Sequence, residues 1–210
     1  MGRRANESRR SGAVPDVLCT IVLAAGQGSR YRQYSDEDKL LAGCTSAADA
    51  PPILAATLRA VAGIGDRLLV VTREDNASLV AWLEREAHAF GAQTLVVRSN
   101  GLGHSLAQAV SRCPARRGWL VALGDMPYLQ HDTLERIAAA IQPQRLVVPV
   151  YRGQRGHPRG IGADFGALLR VLTGERGAQA LFDGPSVIEI EVDDPAVLQD
   201  IDRPEDRRPG

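Results

Sequence analysis

The chain has 210 residues, 44% of them hydrophobic and 24% charged, and its 25 basic residues are matched by 25 acidic ones. That length suffices for one domain with a substantial core. The balanced charge argues against nucleic acid or an anionic membrane as the main partner, and no apolar run is long enough to span a bilayer.

Arg3, Arg4, Arg9 and Arg10 precede the apolar stretch from Val17 to Gly26, which has the outline of an export signal. Pro15, Asp16 and Thr20 interrupt that outline, and a strand running into a glycine loop accounts for the same residues. Residues 1–15 are therefore expected to form a disordered polar arm, with residues 16–210 as a single domain. Short apolar runs at Leu18–Ala24, Arg67–Thr72, Thr94–Val97, Trp119–Leu123, Leu146–Val150 and Val187–Val192 read as strands. Amphipathic stretches at Ile53–Ala62, Asn76–Phe90, Ser105–Cys113, Asp132–Ile141 and Ala163–Leu172 read as helices, the fourth with a capped start at His131-Asp132-Thr133 before Glu135. This alternation predicts an α/β fold, a three-layer sandwich with helices on both faces of a mostly parallel sheet. Cys19, Cys44 and Cys113 are widely spaced and include no CxxC, so they suggest neither a disulfide framework nor a zinc site. Cys19 and Cys113 read as small buried hydrophobes in a reducing, cytoplasmic compartment.

In parallel sheets ligands bind beyond the carboxyl ends of the strands, which directs attention to four loops. After the first strand comes Leu23-Ala24-Ala25-Gly26-Gln27-Gly28-Ser29-Arg30, whose small residues let backbone N–H groups converge on phosphate oxygens while Arg30 grips another. Nine residues on lies Lys39, the one lysine beside 24 arginines. A chain that uses arginine almost everywhere keeps a lysine where a compact ammonium is needed. A Walker A loop is excluded because no GK[ST] occurs, and a dinucleotide fingerprint because Tyr31 stands where its third glycine belongs. Ser99-Asn100-Gly101-Leu102-Gly103-His104-Ser105 leads into a helix whose N-terminus suits an anion or a base edge. Gly103-His104-Ser105-Leu106-Ala107 also imitates a hydrolase elbow with His157 as base, but Ser105 lies well past its strand. Asp125 in Leu123-Gly124-Asp125-Met126-Pro127 closes the most apolar strand, where a divalent cation would compensate its desolvation. Tyr151 to Gly160 reads as a mobile basic loop around His157, and Asp200-Ile201-Asp202 supplies carboxylates late in the chain.

The motifs LAAGQGSR, DKLL, GLGHSL, LGDMP, GQRGHP and DIDRPED, in this order over roughly residues 18 to 206, resemble the MobA-like NTP transferases. Within them they look most like the molybdenum-cofactor cytidylyltransferase branch. The resemblance implies a Rossmann-like nucleotidyltransferase fold, Mg²⁺, an NTP substrate and a small phosphorylated acceptor, molybdopterin in this branch. A molybdoenzyme would then receive the product. It further implies that Leu23, Ala24, Ala25, Gly26, Gly28, Arg30 and Lys39 bind the NTP, with Gly101, Gly103 and Ser105 flanking its base and ribose. Asp125 would hold the metal together with Asp200 or Asp202, and the His157 loop would face the acceptor. The segment from Arg30 to Lys39 is longer than is typical, and Ala42 to Ala50 lacks the usual short glycine turn. Ala25 stands where guanylyltransferase relatives commonly carry glycine, which favours CTP over GTP. A hydrolase and a non-catalytic nucleotide-binding module are the competing readings; Lys39 and Asp125 together favour the transferase.

Overall fold

A computed structural model describes residues 17–175, 177–184 and 187–209. The expected arm at residues 1–15 lies outside this set. The central sheet has eight strands: β1 (Leu18–Leu23), β2 (Arg67–Arg73), β3 (Ala92–Val97), β4 (Gly118–Leu123), β5 (Leu146–Tyr151), β6 (Gln154–Arg155), β7 (Arg159–Gly162) and β8 (Val187–Glu191). The helices are α1 (Ile53–Val61), α2 (Ala77–Glu86), α3 (Leu102–Arg112), α4 (His131–Ala140) and α5 (Gly166–Arg170). All six expected strands and all five expected helical stretches are present. The last helical stretch is split between a 3₁₀ turn at Ala163–Phe165 and the short α5.

Alternation along the central strands sorts the helices into two layers. In β1, Leu18 and Val22 face one cluster, and Cys19, Ile21 and Leu23 face the other. The first cluster takes Ile53, Leu54 and Leu58 of α1, Leu79 and Leu83 of α2, and Leu134 and Ile137 of α4. The second takes Leu106 and Val110 of α3 and Leu169 of α5. Strands buried from both sides read as continuous apolar runs, which is why β1 and β4 were so legible.

The strand order is β3-β2-β1-β4-β7-β5-β6, with β8 parallel to β5. From β1 the chain steps outward to β2 and β3, then returns to lay β4 on the other side of β1. A crevice opens where the order reverses, and Leu23 pairs with Leu123 at its floor.

Three local expectations are corrected. The segment after β5 is not a mobile loop: β6 and β7 pair antiparallel with β5, and β7 also pairs antiparallel with β4. The start of α4 is not capped by its own residues, because Gln130 is the N-cap and makes no side-chain cap; its N–H instead donates to Asp194. Cys19 and Cys113 are not free thiols but a disulfide, joining β1 to the end of α3 with their Cα atoms 6.6 Å apart. Three free thiols were the ground for a reducing compartment, and only Cys44 remains free. Among the described residues no helix is long and apolar enough to cross a membrane.

Candidate active site

The loop after β1 is pinned at its start, where the Ala24 N–H donates to Val71 and the Gly124 N–H donates to Leu23. The chain then turns through Gly28 at φ +61, and Arg32 N–H closes the turn on the Gly28 carbonyl. Lys39 comes back beneath this loop: a Cβ on Gly28 would sit 3.8 Å from the Lys39 Cβ. Asp38, next to it, ties the segment down, accepting from Leu40 N–H and from the Asn76 amide at 2.6 Å. Asn76 also caps α2 through Leu79 N–H. Neither Asp38 nor Asn76 stands out in the sequence as a site residue, although an Asn three residues past a strand and opening a helix is an ordinary cap signal.

Asp125 follows β4, and the late Asp-Ile-Asp is brought against it by one backbone bond, from Ile201 N–H to the Asp125 carbonyl at 3.0 Å. Ile201 is buried, and its neighbours Asp200 and Asp202 both bring a carboxylate to Asp125. One carboxylate oxygen from each of Asp125, Asp200 and Asp202 lies within 4.8 Å of the others. Both late aspartates therefore reach the cluster. Asp125 Oδ1 is buried and has no hydrogen-bond partner among the described residues. An all-oxygen carboxylate set with one orphaned buried oxygen fits a hard divalent cation, which would supply the missing ligand. The Asp200 carboxyl is raised above the ordinary range by the protein packed around it and by the Asp125 carboxylate beside it, although the residue as a whole faces solvent.

Two cations complete the cluster. Lys39 Nζ donates to Asp125 Oδ2 at 2.6 Å and lies 3.6 Å from Asp202 Oδ1, and the exposed Arg30 pairs with Asp202 Oδ2. Above them the groove between the Ala25–Tyr31 loop and Gly101-Leu102 encloses about 400 Å³.

The Gly101–Ser105 segment borders this groove through Gly101 and is held in place by packing from behind. Gly101, at φ +139, and Gly103 press against the turn at Thr173-Gly174, where a Cβ on Gly103 would meet the Thr173 carbonyl at 2.8 Å. Ser105 is fully buried, with its hydroxyl bonded to Ser99 Oγ at 2.7 Å and to the Gly101 carbonyl. It shapes the loop from inside, and a hydroxyl so enclosed is no nucleophile.

Beside the crevice lies a second cavity of about 180 Å³, lined by Leu106, Val121, His157, Arg159, Ile161 and Phe182. Leu23, Leu102 and Leu123 line both this cavity and the pocket containing Asp125 and Lys39, so the two adjoin. His157 has a buried Nδ1 without a hydrogen-bond partner among the described residues, and burial followed by the Arg159 charge pushes its pKa down to about 4, leaving it neutral. Arg159 stacks on Phe182 with its guanidinium carbon 4.5 Å from the ring centroid, and among the described residues it has no carboxylate partner within ion-pair distance.

The MobA-like NTP transferase domain matches residues 20–190. The chain belongs to that family. This MobA-like chain is 27% identical to Rv0371c of Mycobacterium tuberculosis H37Rv, whose crystal structure superposes with a TM-score of 0.76 over 92% of this chain and 96% of that one. A second structure of that protein is a complex with manganese, at a TM-score of 0.70, with 26% identity over 90% of this chain and 95% of that one. Among curated proteins, the bifunctional protein GlmU of Mycolicibacterium gilvum is 30% identical over 74% of this chain. The match covers 30% of that relative's length, so the MobA-like chain spans under a third of it. A nucleotidyl transferase from Methanothermobacter thermautotroptrophicus shares the fold, at a TM-score of 0.73 and 24% identity over 91% of this chain and 94% of that one.

Proposed function

We propose that residues 16–210 act as one divalent-cation-dependent nucleotidyltransferase unit, moving a nucleoside monophosphate from an NTP onto a phosphate of a small acceptor. CTP is the donor and molybdopterin the acceptor, with pyrophosphate released and the product passed to a molybdoenzyme. The observation that carries the reading is the convergence of Asp125, Asp200 and Asp202 with Lys39 and Arg30 beneath a glycine loop. The manganese complex of Rv0371c supports use of a divalent cation.

In this reading the backbone N–H groups of Ala25 to Gly28 receive the triphosphate, and Lys39 and Arg30 neutralise the charge that develops on it. The three aspartates would hold Mg²⁺, which supplies a Lewis acid at the reacting phosphate. The acceptor phosphate oxygen is already ionised, attacks the α-phosphorus in line, and the bond to the β-phosphate bridging oxygen breaks. No side chain needs to become covalent; positioning and electrostatics suffice. The body of the acceptor occupies the cavity between Leu106 and Phe182, with Arg159 and the neutral His157 as its polar contacts.

The test is a matrix of NTPs against phosphorylated acceptors, with Mg²⁺ and pyrophosphate release as the readout, paired with thermal-shift titrations of all four NTPs. CTP is expected to give the largest shift and the highest turnover with molybdopterin. A GTP-dominant response defeats the cytidylyl assignment and leaves the transferase class standing. Tight NTP binding with no pyrophosphate from any acceptor would instead favour a non-catalytic nucleotide-binding module.

A further inference from the structure

We propose that Lys39 and Arg30 serve as counter-ions for the metal-binding carboxylates, and that the incoming nucleotide exchanges them onto its own phosphates. The cation is then accepted together with the NTP and only weakly before it. This rests on the transferase reading above and adds an order of assembly to it.

The oxygens themselves carry the inference. Of the four carboxylate oxygens of Asp125 and Asp202, Asp125 Oδ2 and Asp202 Oδ1 face the Lys39 ammonium, at 2.6 and 3.6 Å. Asp202 Oδ2 pairs with Arg30, and among the described residues only Asp125 Oδ1 of these four is left without a partner. A small divalent cation needs several such oxygens, at roughly 2.0–2.6 Å each. An ammonium on the same carboxylates blocks part of that shell and repels the cation. The Lys39 side chain is only 12% exposed, so water screens this repulsion poorly.

The same two residues border the phosphate groove. Arg30 is 72% exposed and lines the groove with Gly26 and Gly28, and the Lys39 stem lies against Gly28. Because both side chains line the groove, a triphosphate placed there offers both cations new anionic partners. The carboxylates freed in that exchange become available to the cation that the triphosphate brings with it. A lysine suits this role better than an arginine, because a compact ammonium on a flexible stem can change partners without reorienting a planar fork.

The solitary lysine makes the exchange observable. Labelling with ¹⁵N-lysine gives one side-chain ammonium resonance, that of Lys39. In nucleotide-free protein that signal is expected to be exchange-protected and indifferent to millimolar Mg²⁺ alone. It should shift on addition of Mg²⁺ with a non-hydrolysable NTP. In parallel, Mn²⁺ binding to nucleotide-free protein is followed by the free-ion EPR signal, where Lys39→Met is expected to tighten affinity about tenfold. Arg203→Gln removes an exposed neighbouring charge and is expected to change Mn²⁺ affinity by less than about threefold. Lys39→Met that leaves Mn²⁺ affinity unchanged or weakens it overturns the proposal, since Lys39 would then be a bystander or would orient Asp125 for the metal. That result leaves the transferase reading intact. If no Mn²⁺ binds even with NTP present, the exchange fails together with the metal site.

Discussion

A carboxylate at the end of a buried strand is costly unless a cation meets it, and Asp125 is met by Lys39 through one oxygen while its other oxygen stays bare. Asp125→Asn keeps the shape but removes the charge. Steady-state assays should show turnover falling by at least ~3 kcal/mol of transition-state stabilisation, comparable to losing one oxyanion-hole donor. The melting temperature should move little, because Lys39 keeps the Asp202 carboxylate at 3.6 Å as a counter-charge. Near-normal activity in that variant would displace Asp125 from the site. Lys39→Arg separates charge from geometry. A guanidinium fork fits poorly between Asp125 and a triphosphate, so kcat/KM should fall about a hundredfold, or ~2.7 kcal/mol, nearly as far as in Lys39→Ala. Wild-type kinetics in Lys39→Arg would make the single lysine an accident of composition.

Among the elements, α3 has both ends tied. Its start is seated by Gly103 on the Thr173-Gly174 turn and by Ser105 on Ser99, and its end is held to β1 by the Cys19–Cys113 disulfide. The same two elements border the crevice, so this tie fixes Leu102 relative to Leu23 where both line the pocket. The bridge closes a span of 94 residues, for which the chain-entropy account gives an upper figure of about 4.7 kcal/mol. Adding a reductant should therefore lower the melting temperature of the wild type and leave Cys113→Ser unaffected. Equal responses of the two proteins would mean that the bridge contributes nothing to stability.

On the scale of the whole molecule, acid should weaken the fold partly through His157. Its folded pKa of about 4 lies below the ordinary 6.5, so between those values the unfolded chain takes up a proton that the folded chain refuses. The stability tied to this residue is complete above pH 6.5 and is lost as the pH falls toward about 4. Denaturant titrations at about pH 7 and about pH 4.5 should show a smaller acid-induced loss in His157→Gln than in wild type. An identical loss in both would show that His157 is protonated freely in the native state.

What the sequence by itself determined was local: the apolar runs of β1 and β4, the glycine loop behind Leu23, the aspartate closing a buried strand and the lone Lys39. Each follows from burial period, backbone freedom or charge desolvation, which neighbouring residues are enough to specify. Only the tertiary structure decided the rest, because it depends on partners far away in the chain. Asp200 and Asp202 both reach Asp125 through the Ile201 backbone bond across 76 residues, which no spacing reveals. The segment around His157 becomes strands because β7 finds edges on both β4 and β5. Gly101 and Gly103 are glycines because the 173–174 turn presses on them, and Ser105 is turned inward by Ser99. Cys19 and Cys113 look like isolated hydrophobes until α3 packs on the sheet and brings the two sulfurs together.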